Sequence, residues 1–256
     1  MKLSKTTFEL IKEPKKNLKN KEVLAKEITD LIMLSWGNYD IEKIKNVFLN
    51  LEEVVLGYVG DELCFITGGG IDKIKYDRQS IYLYRIGLTV VKKMTLDGES
   101  LWKKGIMSKG LFILLKHLFL KHPFRNFYVG IRTLDPVVFK FASKYLNAVV
   151  PNYKKNTIPT EKEKLIAKYI SGKINPGCLF DENRFVVHNA FSNHIDLAIN
   201  KISELPNFKD EEIKKFFLEN IDYKKGDAFI IIGKINVIVL LKFKIKNIFK
   251  VFYGGK

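Results

Sequence analysis

One stretch of this chain constrains its fold more than any other. Between residues 80 and 132 come an apolar strand, a polar interval, a glycine-led helix and a second strand. SIYLYRIGLTVV (80–91) is dense in aromatic and β-branched residues and predicts a central strand. KKMTLDGESLWKK (92–104) is polar. From Gly105 to Lys121 the residues Leu111, Leu114, Leu115, Leu118 and Phe119 recur at helical spacing, and Pro123 ends the run. FYVGIR (127–132) returns to strand. Asp135-Pro136 then opens a helix through Phe139, Phe141, Ala142, Tyr145 and Leu146, with aspartate as N-cap and proline at the first helical position.

The flanking segments fit around this unit. Residues 1–21 are polar and Lys-rich, and read as a segment apart. Val23, Leu24, Ile28, Leu31, Ile32 and Leu34 predict an amphipathic helix over Lys21–Trp36; Asp40 caps a second through Ile41, Ile44, Val47, Phe48 and Leu51. VVLGYVGDELCFITGG reads as two strands around a Gly60-Asp61 turn, and the polar stretch Ile71–Ser80 as a loop. After Pro151, a Thr160/Glu163 capping box starts a helix to Ile170, FVVH (185–188) is a short strand, and 195–205 and 210–221 are helical. AFIIIGKINVIVLL supplies one or two buried strands. Two helices, a meander and a βαβα unit imply an α/β fold with a mixed sheet and helices on both faces. The expected organisation is a segment 1–21, a core 22–150, and an extension 151–256 packed on the same domain.

With 256 residues, 46% hydrophobic and 12% aromatic, the chain can bury a sizeable core. The net charge of +16 suits polyanionic partners: nucleic acid, an anionic membrane or a phosphate-rich cofactor. A Lys/Asn/Ile-rich background accounts for the same charge without any such partner. Cys64 and Cys178 form neither a metal knuckle nor a CxxC pair, so a reducing, cytoplasmic setting is the expectation. No uncharged apolar run reaches membrane-spanning length; Phe229–Leu241 comes nearest and is interrupted by Lys234 and Asn236.

The chemistry concentrates where the polar interval meets the helix, at Lys103-Lys104-Gly105-Ile106-Met107-Ser108-Lys109-Gly110. The first turn of a helix offers free N–H groups and positive dipole, Gly105 permits close approach, Ser108 adds a donor, and Lys103, Lys104 and Lys109 add charge. That is a phosphate cradle, though lysines and glycines also start helices that hold nothing. Order and junction together resemble the GNAT acyltransferase superfamily over roughly residues 22–150. Its pyrophosphate motif, Gln/Arg-x-x-Gly-x-Gly/Ala, falls on Trp102 to Met107; Gly105 coincides, while Trp102 and Met107 depart from the polar first and small last positions. Arg132-Thr133-Leu134-Asp135-Pro136 is similar to the Arg-Thr-x-Asn-Pro segment of some members, with Asp135 as the cap.

The resemblance implies acetyl-CoA or a longer acyl-CoA as co-substrate and an amine-bearing acceptor, with no metal. It implies that backbone groups of Leu88–Val91, including Val90, meet the pantetheine amides. The pyrophosphate would lie at Lys103–Gly110, and Asp135 beside the pantetheine arm. A glutamate base on the central strand, present in some members, has no counterpart; Tyr82, Tyr84 and Arg85 stand there instead. The acid tyrosine of other members would fall at Ala142, with Tyr145 nearest. Tyr145 and Tyr84 are therefore the catalytic candidates, Tyr145 having a plain core or rim role as its alternative. Asp97 and Glu99 are loop-borne alternatives, and proximity without a dedicated base is another.

Of the histidines, His117 and His122 suit a helix C-terminus better than a metal, and His188 and His194 flank VVHNAFSNH as possible acceptor-site groups. The tail Lys242–Tyr253 mixes lysines with Phe243, Ile245, Ile248, Phe249 and Phe252, a basic amphipath able to rest on anionic membrane or serve as an edge strand. Two further readings stay open: a CoA-binding module of the same fold without turnover, and a basic membrane-surface or nucleic-acid-binding protein. No RNA-binding signature or DNA-reading element favours nucleic acid. Acceptor, acyl length and oligomeric state are open from sequence.

Overall fold

Alternating and helical periodicities resolve into nine strands and eight α-helices among the described residues. The computed structural model describes residues 5–18, 21–36, 41–92, 101, 105–121, 127–154 and 158–235. In order these are β1 (Thr6–Lys12), α1 (Pro14–Asn17), α2 (Lys21–Trp36), α3 (Ile41–Leu49), β2 (Glu53–Val59), β3 (Glu62–Tyr76) and β4 (Gln79–Val91). Then follow α4 (Ile106–Lys121), β5 (Phe127–Thr133), α5 (Pro136–Tyr145), β6 (Asn147–Val150), α6 (Glu161–Ile174), β7 (Phe180–Asp181), β8 (Val186–Val187), α7 (Ile195–Glu204), α8 (Glu211–Asn220) and β9 (Ala228–Ile235). The fold is α/β with a mixed sheet, as expected. The chain divides into two compact units, one of Met1–Ile71, Ile86–Arg125 and Leu240–Lys256, the other of Asp72–Arg85 and Asn126–Val239.

In the first unit the strand order is β1-β2-β3-β4. β1 pairs antiparallel with β2 from Thr6↔Val59 to Lys12↔Glu53, and β2 pairs antiparallel with β3. The expectation for residues 1–21 needs correction here, because Thr6–Lys12 is an edge strand and Pro14–Asn17 a helical turn. The period-2 alternation in TTFELIK is half polar, which suits an edge with one buried face. Both faces of the inner strands are covered. Val54, Leu56, Ile66, Leu88 and Val90 pack on Ile28, Leu31 and Ile32 of α2 and on Ile44 and Phe48 of α3. On the opposite face, Phe65 meets α4 at Gly110, where a Cβ would collide with the phenyl ring. Only glycine lets the helix sit that close.

The second unit has the order β4-β5-β9-β8-β7, with β6 also paired to β9. β5 and β9 run antiparallel from Phe127↔Ile235 to Thr133↔Phe229. Gly130 on one face accommodates Ile170 of α6 and Leu83 of β4. On the other, Phe229 stacks at 4.9 Å with Phe216 of α8 and lies 5.9 Å from Phe139 of α5. Helices thus cover both faces. The stretch 71–80 is not a loop. β3 continues to Tyr76 and β4 starts at Gln79, joined by Asp77-Arg78 at φ 44° and 59°. Positive φ at both central residues is the turn that two-residue hairpins favour. Buried Asp72 and Ile74 alternate with exposed Lys73 and Lys75, and buried Ile81 follows exposed Ser80, so the charge density of this stretch hides a strand pattern.

Candidate active site

The crossover from β4 to β5 through α4 is the element that sequence singled out, and the structure shows what its start offers. Leu88 and Val90 are 4% and 2% exposed, their side chains spent in the core against α2 and α3. Only their backbone can meet a ligand. The Leu88 carbonyl accepts from the hydroxyls of Thr67 (3.3 Å) and Thr89 (2.8 Å), and the two hydroxyls lie 2.7 Å apart. Val91 is half-buried. Just beyond the strand, the Lys92 amide donates to the Cys64 carbonyl at 2.9 Å, and its ammonium pairs with Glu62. The strand end is therefore tied to β3 by backbone and side chain.

Gly105 lies at φ +64°, in the left-handed region that costs other residues roughly 1–2 kcal/mol. Its carbonyl accepts from Lys109 N at 3.0 Å, closing the first turn of α4. Ile106, Met107 and Gly110 are buried, Ser108 is half-buried and Lys109 exposed. Among its described residues, this junction can thus present backbone N–H groups, the Ser108 hydroxyl and the Lys109 ammonium. Lys103 and Lys104, together with Asp97, Glu99 and His122, lie outside the described residues, as do the C-terminal tail and the side chain of His194.

The other sequence candidates sit in the second unit. Asp135 caps α5 as read, its Oδ1 accepting from Val137 N at 2.8 Å. Its Oδ2 meets Lys201 Nζ at 2.8 Å. Burial works against the Lys201 charge, but the Asp135 and Glu204 carboxylates outweigh it and hold the ammonium above the ordinary lysine range. Tyr223 donates to the Leu134 carbonyl at 3.1 Å; burial, then the Asp135 charge, push its hydroxyl well above the ordinary tyrosine range. Tyr145 ends α5 half-buried, its ring 4.5 Å from Phe141 and below the Lys144 ammonium at 5.4 Å. Tyr84 is wholly buried.

Several partnerships escaped the sequence reading. His117 has a carboxylate partner: its Nε2 lies 3.1 Å from Oε1 of buried Glu53, which Lys121 also reaches at 3.3 Å. His188 Nδ1 lies 3.0 Å from Asp227. Asp72 accepts from Arg85 at 3.0 Å and Lys173 at 2.5 Å. Arg132 donates to Asn175 at 2.7 Å and stacks 4.3 Å from the Phe191 ring. Partners 13 to 101 residues apart leave no spacing signal. Among the described residues no helix is long and apolar enough to cross a membrane.

Comparison with known proteins gives a structural likeness only. No family model matches the sequence, and no curated protein does. The solved structures similar to this chain include an aminoglycoside 6'-acetyltransferase type Ii, at 19% identity and a TM-score of 0.38 over 56% of this chain and 87% of that one. ElaA of Escherichia coli aligns at 17% identity and TM-score 0.37 over 61% of this chain and 93% of its own. A GNAT-family acetyltransferase from Streptococcus pneumoniae aligns at 13% identity and TM-score 0.36, over 56% of this chain and 87% of that one.

Proposed function

We propose that this chain is an acyl-CoA-dependent N-acyltransferase that moves an acetyl or longer acyl group to an amine. The observation that carries the reading is the turn at Gly105. A left-handed glycine delivers the chain into the first turn of α4, whose leading N–H groups belong to Ile106, Met107 and Ser108. Such a helix start would serve as a backbone-lined anion cradle for a pyrophosphate. Lys109, with Lys103 and Lys104, would supply countercharge, and Gly110 lets the helix seat on the sheet. Leu88, Val90 and Val91 would offer backbone groups to pantetheine amides, the side chains of Leu88 and Val90 being committed to the core. The bound acyl-CoA supplies an activated thioester.

The chain's own task is then to orient the amine and move its proton. Tyr145 and Tyr84 are the proposed proton-transfer groups. Of the two, Tyr145 has ring surface in contact with solvent. Calorimetry and thermal shift with acetyl-, butyryl- and octanoyl-CoA test the reading: saturable binding is expected, and no heat with no shift for any of them ends it. One observation favours a second reading, a CoA-binding module without turnover. β4 carries no carboxylate, and its Tyr84 is wholly buried. Release of free CoA thiol across a broad amine screen separates the two.

A further inference from the structure

The second unit contains a cavity of about 490 Å³ that the acyl-donor reading does not use, with a histidine–carboxylate pair in its wall. His188 leads out of β8, its amide donating to the Leu179 carbonyl at 2.9 Å. Its Nδ1 lies 3.0 Å from Asp227 Oδ2. Asp227 is 3% exposed and is held in turn: Asn189 N donates to its Oδ1 at 3.0 Å, and Asp222 N to its Oδ2 at 3.4 Å. The two turns that bring the pair together are built for it. Asn189 adopts φ 57° and Gly226 φ 73°. The Gly226 carbonyl accepts from Phe191 N at 2.8 Å, and a Cβ at Gly226 would press on the Phe191 backbone at 2.7 Å.

A carboxylate can only accept, so Nδ1 carries the proton, and in the neutral imidazole Nε2 keeps its lone pair. His188 lines the cavity, and with Nδ1 taken, Nε2 is the ring nitrogen it can offer there. One stretch of the wall is apolar, made by Ile202 of α7, Leu218 of α8 and Ile221; Ile202 and Leu218 are 37% and 53% exposed, large aliphatic surface left uncovered by the protein itself. The charged lining consists of three cations, Arg184, Lys224 and Lys225, and three carboxylates, Glu219, Asp222 and Asp227. Arg184 is tied to Asp181 at 2.6 Å, Lys225 to Asp222 at 3.4 Å and Glu219 to Lys215 at 3.7 Å. Such a lining does not select a ligand by net charge. An acceptor nitrogen beside an aliphatic wall selects a hydrogen-bond donor on an apolar body.

We infer that this cavity is a binding site for a small molecule with an apolar body and a protic head group, a hydroxyl or amine, whose hydrogen is accepted by His188 Nε2. The site rests on the second unit alone and stands whether or not the chain binds an acyl-CoA.

The test uses the full chain with ¹⁵N-labelled imidazoles, the His188 signals among the four histidines being those that His188→Gln removes. Cyclohexylmethanol, cyclohexylmethylamine and cyclohexanecarboxylate share one apolar body and differ in the head. The expected result is an unprotonated Nε2 on His188 that shifts saturably with the alcohol and the amine. The carboxylate, having no hydrogen to donate, should bind about tenfold more weakly or worse. Asp227→Asn offers Nδ1 a donor and reverses the tautomer, so binding of the alcohol should fall at least about tenfold. Should that variant fail to fold, Leu218→Asp, which spoils only the exposed wall, should produce a similar loss. A proton on Nε2, equal binding of all three probes, or no movement of the His188 resonances each overturns the inference.

Discussion

Replacing Phe139 with alanine should unfold the second unit at much lower denaturant. Phe139 is 0% exposed and stands at the centre of an aromatic group, 5.4 Å from Phe216 and Phe217 and 5.9 Å from Phe229 and Tyr153. Its ring meets Phe217 edge-on at 89°, the geometry in which aromatic quadrupoles attract. Truncating a buried phenylalanine costs about 3–5 kcal/mol in lost transfer energy and cavity formation. Four aromatic neighbours cannot collapse into the space without giving up their own ring contacts, which places this site in the upper half, about 4–5 kcal/mol. A domain of ordinary stability has only about 5–15 kcal/mol to lose. Phe139→Leu keeps most of the volume and loses the ring edges, for about 1–2 kcal/mol. Leu179→Ala, at a site 71% exposed, should stay within about 0.5 kcal/mol. Urea unfolding followed by far-ultraviolet circular dichroism ranks the three. If Phe139→Ala loses less than about 1.5 kcal/mol, or no more than Phe139→Leu, the cluster is not the packing centre that its geometry implies.

Three other outcomes follow from the same structure. Burial alone would push the Asp72 carboxyl up; the Lys173 hydrogen bond and the Arg85 charge outweigh it and hold it below the ordinary aspartate range. A depressed folded-state value means stability that is present above the unfolded aspartate range and lost as pH falls through the folded one. Asp72→Asn should therefore flatten the acid limb of the stability–pH curve and cost about 1–2 kcal/mol at neutral pH, discounted because Lys173 is half exposed; an unchanged acid limb refutes the assignment. Gly105→Ala should cost about 1 kcal/mol in thermal melts through its left-handed φ and weaken acyl-CoA binding in calorimetry, whereas equal stability would show that the turn tolerates a side chain. Asp135→Ala removes a helix cap and the Lys201 ion pair and should cost about 1–2 kcal/mol by chemical denaturation, with Asp135→Asn restoring the cap's share.

Much of the secondary structure was legible because its causes are local. The helix Lys21–Trp36 has the limits that its apolar spacing predicts, and the capping box at Thr160 and Glu163 forms with both halves bonded. Asp135-Pro136 starts α5 as read, and the Gly60-Asp61 turn joins β2 to β3. Each depends on residues within about one helical turn or one hairpin of each other, so the chain states it directly. The candidate site was legible only as a junction: Gly105 marked the start of α4, and its positive φ explains why a glycine stands there.

What the sequence by itself determined, then, is the order of elements, their amphipathic faces and the glycine-led start of α4. Tertiary structure alone decided the rest. Thr6–Lys12 became a strand because β2 offered an edge to pair with, and the charged run 71–80 became a hairpin because Ile74 and Ile81 found cover. Packing took the Leu88 and Val90 side chains away from any ligand and closed Tyr84 off from solvent. It also joined Asp72 to Lys173 across 101 residues, and His188 to Asp227 across 39. Such pairs lower the free energy only once the sheet has brought their strands together, and a one-dimensional pattern carries no distance between residues that far apart.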